Sequence, residues 1–136
     1  MFEVTFLPIL AAAIANLVLG MVWYHPKIFG TAWMMSAGIS PEKAEMGKKK
    51  MPMMAATGTL AAMVIAYVMN HLGIAWGVFD WIGAVELGFW IWVGFTAPVL
   101  LGSVLWEMKP FKYFLINATY WLVSFILMAV VLVALS

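Results

Sequence analysis

Residues 82–135 read IGAVELGFWIWVGFTAPVLLGSVLWEMKPFKYFLINATYWLVSFILMAVVLVAL: two long apolar runs split by Glu107-Met108-Lys109-Pro110-Phe111-Lys112. A helix needs about 20 mostly apolar residues, rising about 1.5 Å each, to cross the hydrocarbon core of a bilayer. Both runs meet that length, and the lysines and Pro110 divide them into two spans joined by a short polar turn. Working outward, two further runs qualify. One extends from about Phe6 to Tyr24 and stops at His25-Pro26, because the residue before a proline is pushed out of the helical region. The other extends from about Pro52 to Leu72, with Pro52 suited to a first turn and Gly73 placed to cap its end. The pattern predicts one domain over residues 1–136, with helices at about 6–24, 52–72, 82–106 and 111–135.

Composition agrees with this reading. Of 136 residues, 66% are hydrophobic and only 10% charged, against about 45–50% and about 25% in a soluble domain. Mean hydropathy is +1.04. The expected fold class is an all-α membrane protein, four transmembrane helices in a compact bundle, with a short interfacial amphipathic segment between helices one and two. The net charge of +1 offers no basic face for nucleic acid. With no cysteine, disulfides, thiolate metal sites and cysteine nucleophiles are excluded. The first residues, Met1 to Thr5, carry Glu3 and no lysine, unlike the basic start of a cleavable signal. The first apolar run is therefore expected to be retained as a helix.

The lysines orient the spans. All seven basic residues are Lys. Lys27, Lys43, Lys48, Lys49 and Lys50 lie between helices one and two, and Lys109 and Lys112 between helices three and four. The other loop and both ends have none. Short lysine-rich loops stay cytoplasmic, so a loop of about 25–51 is expected inside and both termini outside. Trp23, Tyr24, Trp76, Trp81, Trp106 and Tyr113 sit at helix ends, where amphipathic rings anchor to the interface. Within the long loop, Ile28 to Ser36 is apolar and suits the membrane surface. Ser40-Pro41-Glu42 reads as an N-cap, first-turn proline and acid opening a short helix to about Gly47. Lys48, Lys49 and Lys50 are expected to meet anionic lipid headgroups, at roughly 1 kcal/mol per lysine.

Polar residues inside the spans are the candidates for function, because in lipid they face other helices. The helical rise puts Asn16 roughly 12 Å from the inner end of its helix, Asn117 roughly 9 Å from the same end, and Thr57 and Thr59 roughly 8–11 Å. With Tyr120 these form a predicted inner polar layer. Asn16, Gly20 and Trp23 share one stripe, and Asn117, Tyr120, Trp121 and Ser124 another. The layer is read either as interhelical glue, at about 0.6 kcal/mol per hydrogen bond, or as a small polar cavity. A second group near the outer side holds Asn70, His71, Asp80 and Glu86. Positions 86, 90, 94 and 98 share a face, which the small residues Gly94 and Pro98 mark as the packed one. Glu86 then lies inward with His71 as partner, or else reaches the interface. Pro98 should kink helix three near Gly94.

No enzyme motif is visible: the serines lack a paired histidine and acid, and the two histidines form no metal pattern. No metal or cofactor is expected. The twelve methionines invite soft Cu(I) through Met51, Met53 and Met54, but they are scattered over every region and read better as ordinary apolar residues.

The run Asn16-Leu-Val-Leu-Gly20-Met-Val-Trp23-Tyr24-His-Pro26-Lys-Ile-Phe29-Gly30-Thr-Ala-Trp33-Met34, with Ile116-Asn117-Ala118-Thr119-Tyr120-Trp121 near the end, resembles a family of small bacterial membrane proteins catalogued as domain of unknown function 1761. The resemblance spans nearly the whole chain. It implies four membrane helices, a place in the bacterial cytoplasmic membrane and no established activity. It singles out Trp23, Tyr24, Pro26 and Trp33 beside Asn16, Asn117 and Tyr120. Two functions fit: an oligomeric small-molecule or ion binder or transporter, or a non-transporting scaffold, accessory or lipid-interacting protein. The expected partners are membrane lipids and a second copy of the chain, the latter from the small-residue faces and Phe89-Trp90-Ile91-Trp92.

Overall fold

The computed structural model describes residues 5–136, so Glu3 lies outside the described residues. Helix α1 runs Phe6–Trp23. His25 is extended, as its place before Pro26 demands, and Pro26–Gly30 then forms a π-helical turn leading into α2, Thr31–Ala37. Gly38 closes α2 in the left-handed conformation, φ 74°, with Ile39 N–H bonded to Met34 O and Gly38 N–H to Met35 O. That pair of bonds is the Schellman closure, which glycine enters without a Cβ penalty.

Helix α3, Pro41–Lys49, opens as read from the sequence: the Ser40 hydroxyl accepts from Lys43 N–H at 3.2 Å and Pro41 occupies the first turn. It extends past Gly47, so Lys48 and Lys49 form its last turn, where cations offset the negative helix end. Helix α4, Met51–Ala75, passes through Gly73. Its left-handed closing residue is instead Gly77, φ 67°, with Val78 N–H on Gly73 O and Gly77 N–H on Ile74 O.

The third span is broken. Helix α5, Trp81–Ile91, starts with Asp80 Oδ1 accepting from Gly83 N–H at 2.8 Å. A π-helical turn comes next at Trp92–Thr96, closed by Ala97 N–H on Trp92 O. Short helices α6, Ala97–Leu100, and α7, Gly102–Leu105, complete the span. Where a kink is expected, the structure has this widened turn just ahead of Pro98, which has no N–H to give to the carbonyl one turn back and whose ring the wider turn accommodates. Helix α8 covers Phe111–Ala134. Among the described residues, four helices are therefore long and apolar enough to cross a membrane: Phe6–Trp23, Met51–Ala75, Trp81–Leu105 and Phe111–Ala134.

α8 is the centre of the bundle. The buried share of each span's most apolar window is 44% for α8 and 28% for α1, but 11% for each of the other two. α1 packs between α4 and α8, α5 packs on α8, and α4 and α5 barely meet. Alanines make the α1–α4 approach close: Ala12, Ala13, Ala62 and Ala66 are all fully or almost fully buried. On the α5 side, a Cβ on Gly88 would stand 2.9 Å from Ile126 Cα, so backbone meets backbone there. The outward sides carry Leu60, Val64, Phe95 and Val99, all exposed, as lipid-facing positions must be when every backbone group is satisfied within the helices. The two lysine-bearing loops lie at one end and touch: Lys109 Nζ donates to Ala37 O at 2.8 Å.

Candidate functional site

The residues carrying the sequence motif converge at the lysine-loop end. The turn after α1 folds back on itself, which brings Phe29 to 4.8 Å from Trp23 and Trp33 to 5.3 Å from Tyr24, ring centre to ring centre. Residue 30 must be glycine for this: a Cβ there would stand 2.1 Å from Tyr24 O. Its φ of −63° is ordinary, so the requirement is space. Thr31 Oγ1 donates to Pro26 O and tightens the turn.

About two turns deeper, polar groups of α1 and α8 meet. Asn16 Oδ1 accepts two hydroxyls, Tyr120 at 2.7 Å and Ser124 at 2.5 Å, as the two lone pairs of a carbonyl oxygen permit. Both hydroxyl residues are buried. A Cβ on Gly20 would lie 3.1 Å from the Tyr120 hydroxyl, so Gly20 makes room for the ring. Trp23 Nε1 donates to Ile116 O at 3.2 Å and the Tyr24 hydroxyl to Asn117 Oδ1 at 2.6 Å. Tyr24 and Tyr120 rings are 5.2 Å apart. From the other flank of α8, Trp92 Nε1 donates to Ala118 O at 2.7 Å. No carboxylate, amine or imidazole enters these bonds. His25 Nδ1 faces its own turn, accepting from Lys27 N–H at 3.1 Å. The arrangement is a clamp between the first and last spans, with the chemistry of hydrogen bonding and ring packing.

Several sequence-predicted residues lie elsewhere. Thr57 and Thr59 do not join the clamp: their hydroxyls donate to Met53 O and Ala55 O of their own helix, an outlet open to any helical threonine. The outer group also separates. Asn70 is fully buried, whereas His71 is exposed with its ring 4.6 Å from Tyr67. Glu86 is exposed, as are Trp90, Gly94 and Pro98, so the 86/90/94/98 face points out of the bundle. The packed face of α5 is Ala84, Leu87 and Gly88, all buried. Glu86 and His71 form no ion pair; the ion pair among the described residues is Glu45–Lys48, exposed, at 3.0 Å. Lys48, Lys49 and Lys50 are exposed. Trp23 and Tyr24, read as interface anchors, are tied into the clamp, while Trp76, Trp81 and Trp106 are exposed as anchors should be.

Sequence reading missed Gly88, took Trp92 only as part of a segment facing a second copy, and missed the bond that Lys109 makes. The spacing Ala84, Gly88, Trp92 was the available signal, one small–small–aromatic stripe at successive turns of one helix face. Lys109 was read as a topology signal alone. It also caps α2 by bonding Ala37 O and lies 5.7 Å from the Tyr113 ring centre. Among the described residues no cluster of three or more His, Asp or Glu side chains is gathered as a metal site requires.

Four apolar spans, with the outer two in sequence clamped by buried polar groups, define an all-α multi-pass membrane bundle. The chain belongs to the family described as "Protein of unknown function (DUF1761)", whose model matches residues 7–133. No curated protein matches it. No solved structure matches it.

Proposed function

We propose that the chain is a non-transporting, non-enzymatic membrane protein that acts through its lipid-facing surface, as an accessory or lipid-interacting bundle. The observation that supports this reading is the internal pairing of the inner polar residues. Asn16, Tyr24, Asn117, Tyr120 and Ser124 bond one another across α1 and α8. A path for ions or polar solutes would need those groups turned toward water. The lysine distribution supports an orientation with both lysine-bearing loops on the cytoplasmic side of a bacterial inner membrane. Lys48, Lys49 and Lys50 then meet anionic headgroups.

Flux through reconstituted liposomes tests the reading. Protein-containing vesicles should leak protons and small solutes no faster than empty ones. A protein-dependent flux that Asn16→Ala abolishes would overturn it and restore the transporter reading. That reading draws on the outward stripe Glu86, Trp90, Gly94 and Pro98, which in an oligomer would face a second copy.

A further inference from the structure

Two stripes with polar ends stay uncovered in the bundle. On α4 the stripe is Thr57, Leu60, Val64, Tyr67 and His71, all exposed. On the third span it is Glu86, Trp90 and Val93, exposed too, with the exposed Gly94 beside them. Both advance in alternating steps of three and four residues, the spacing of a seam along which one helix packs on another. Within one chain the stripes do not pair. α4 and α5 barely meet, and His71 packs on Tyr67 and makes no ion pair with Glu86.

The two stripes match in depth. α4 ends at Ala75 and the third span begins at Trp81, across a short turn, so both depths count from the same side of the membrane. At about 1.5 Å per residue, His71 and Glu86 lie about 6 and 7.5 Å in, Tyr67 and Trp90 about 12 and 13.5 Å, and Val64 and Val93 about 16.5 and 18 Å. The spans run in opposite directions, so laid side by side they meet in that order: basic on acidic, ring on ring, and Val64 on Val93. Gly94 leaves room there, since a Cβ on it would meet nothing within 4 Å. Polar side chains on lipid-facing stripes are stabilised by finding one another across helices.

From these matches we propose that α4 of one copy packs along the third span of the next, with His71 opposite Glu86. The complementary charge lies on two surfaces of this same chain, and copies inserted in one orientation present both at the same depth. A second copy is therefore the occupant that fits. The two surfaces differ, so the contact is heterologous, and repeated about an axis along the membrane normal it closes a ring. The inference goes beyond the proposed function and does not depend on it, because assembly is read without any flux.

The test uses full chains in lipid with one cysteine each. A Val64→Cys chain and a Val93→Cys chain with different tags are co-expressed and oxidised. A disulfide between the two tags should exceed either same-tag product, because bridging needs the backbones within about 7 Å. Adding Glu86→Gln to the second chain should cut that product several-fold, and so should His71→Glu in the first. His71→Glu in both chains combined with Glu86→His in both should restore it. All these positions are exposed, so unchanged melting temperatures in dilute detergent certify the fold. A Val64→Cys chain joining equally well to Met21→Cys, exposed on α1, would reduce the contact to random collision and overturn the proposal. Val93→Cys joining chiefly to itself would replace the heterologous contact by a symmetric one. A charge exchange that restores nothing would overturn the pairing of His71 with Glu86.

Discussion

The Tyr120 hydroxyl lies 2.7 Å from Asn16 Oδ1, joining residues 104 positions apart in sequence across the interface of the first and last spans. The same oxygen holds Ser124, so Asn16 is the shared acceptor of two buried donors. Asn16→Ala removes that oxygen and leaves Tyr120 only the Asn16 backbone carbonyl, at 3.0 Å, and Ser124 only the weak Met128 sulfur, at 3.6 Å. Hydrogen bonds between membrane helices average about 0.6 kcal/mol, and leaving buried donors with poorer acceptors costs more. The expected loss is about 1–2 kcal/mol, seen as a lower melting temperature in detergent. Ser124→Ala removes one donor and should cost less, and the double variant should cost less than the sum of the two. Additivity would show that the two bonds do not share an acceptor.

Gly30 and Gly58 make a contrasting pair. A Cβ at 30 collides with Tyr24 O, while at 58 it meets nothing within 4 Å. Gly30→Ala cannot be relieved by a side-chain shift, since backbone is what it strikes, and should open the turn that places Phe29 and Trp33. Gly58→Ala lies on the exposed side of α4 and should be neutral or stabilising by about 0.5–1 kcal/mol. Near-UV circular dichroism tracks the aromatic cluster: its signal should fall for the first variant and persist for the second.

The spans were legible in the sequence because the bilayer imposes length and polarity together, and few soluble patterns imitate both. Asn16 and Tyr120 were legible because their stripes hold the few groups that need partners. Thr57 and Thr59 were misplaced for a definite reason. Helical rise gives depth but not direction, and a threonine can satisfy itself on the carbonyl four residues back, as both do. The packed face of the third span was assigned to the small residues Gly94 and Pro98, yet Gly88, against the α8 backbone, and the buried Ala84 are the small residues of that face. Pro98 instead stands in the first turn of α6, directly after the widened turn at Trp92–Thr96. The link from Lys109 to Ala37 had no local signal, since it joins loops 72 residues apart.

Lys109 also yields a prediction about local order. It holds the last carbonyl of α2, that of Ala37; α2 is a helix of seven residues, too short to persist alone. Lys109→Met keeps the apolar stem and removes the ammonium. Hydrogen exchange over residues 31–37 should rise several-fold, while exchange in the middle of α8 stays as in the wild type. Equal protection of residues 31–37 in both proteins would mean that ring contacts such as Trp33 on Tyr24 hold α2 without the lysine.

The packed face of the third span can be read directly, because the chain has no cysteine and single cysteines can be placed at will. Leu87 is 1% exposed and Ala84 fully buried, whereas Phe95 is 71% exposed and Val99 72%. A lipid-soluble maleimide should label Phe95→Cys and Val99→Cys within minutes and leave Leu87→Cys and Ala84→Cys slow. Stability should obey the same division. Gly88→Ala drives a methyl against the backbone of Ile126, an overpacking worth about 1–3 kcal/mol, while Gly94→Ala has open space. If Gly94→Ala instead weakens the protein in lipid but not in dilute detergent, the outward stripe of Glu86, Trp90, Gly94 and Pro98 is covered by another helix in the membrane. Concentration-dependent mass in lipid nanodiscs would then show whether that helix comes from a second copy.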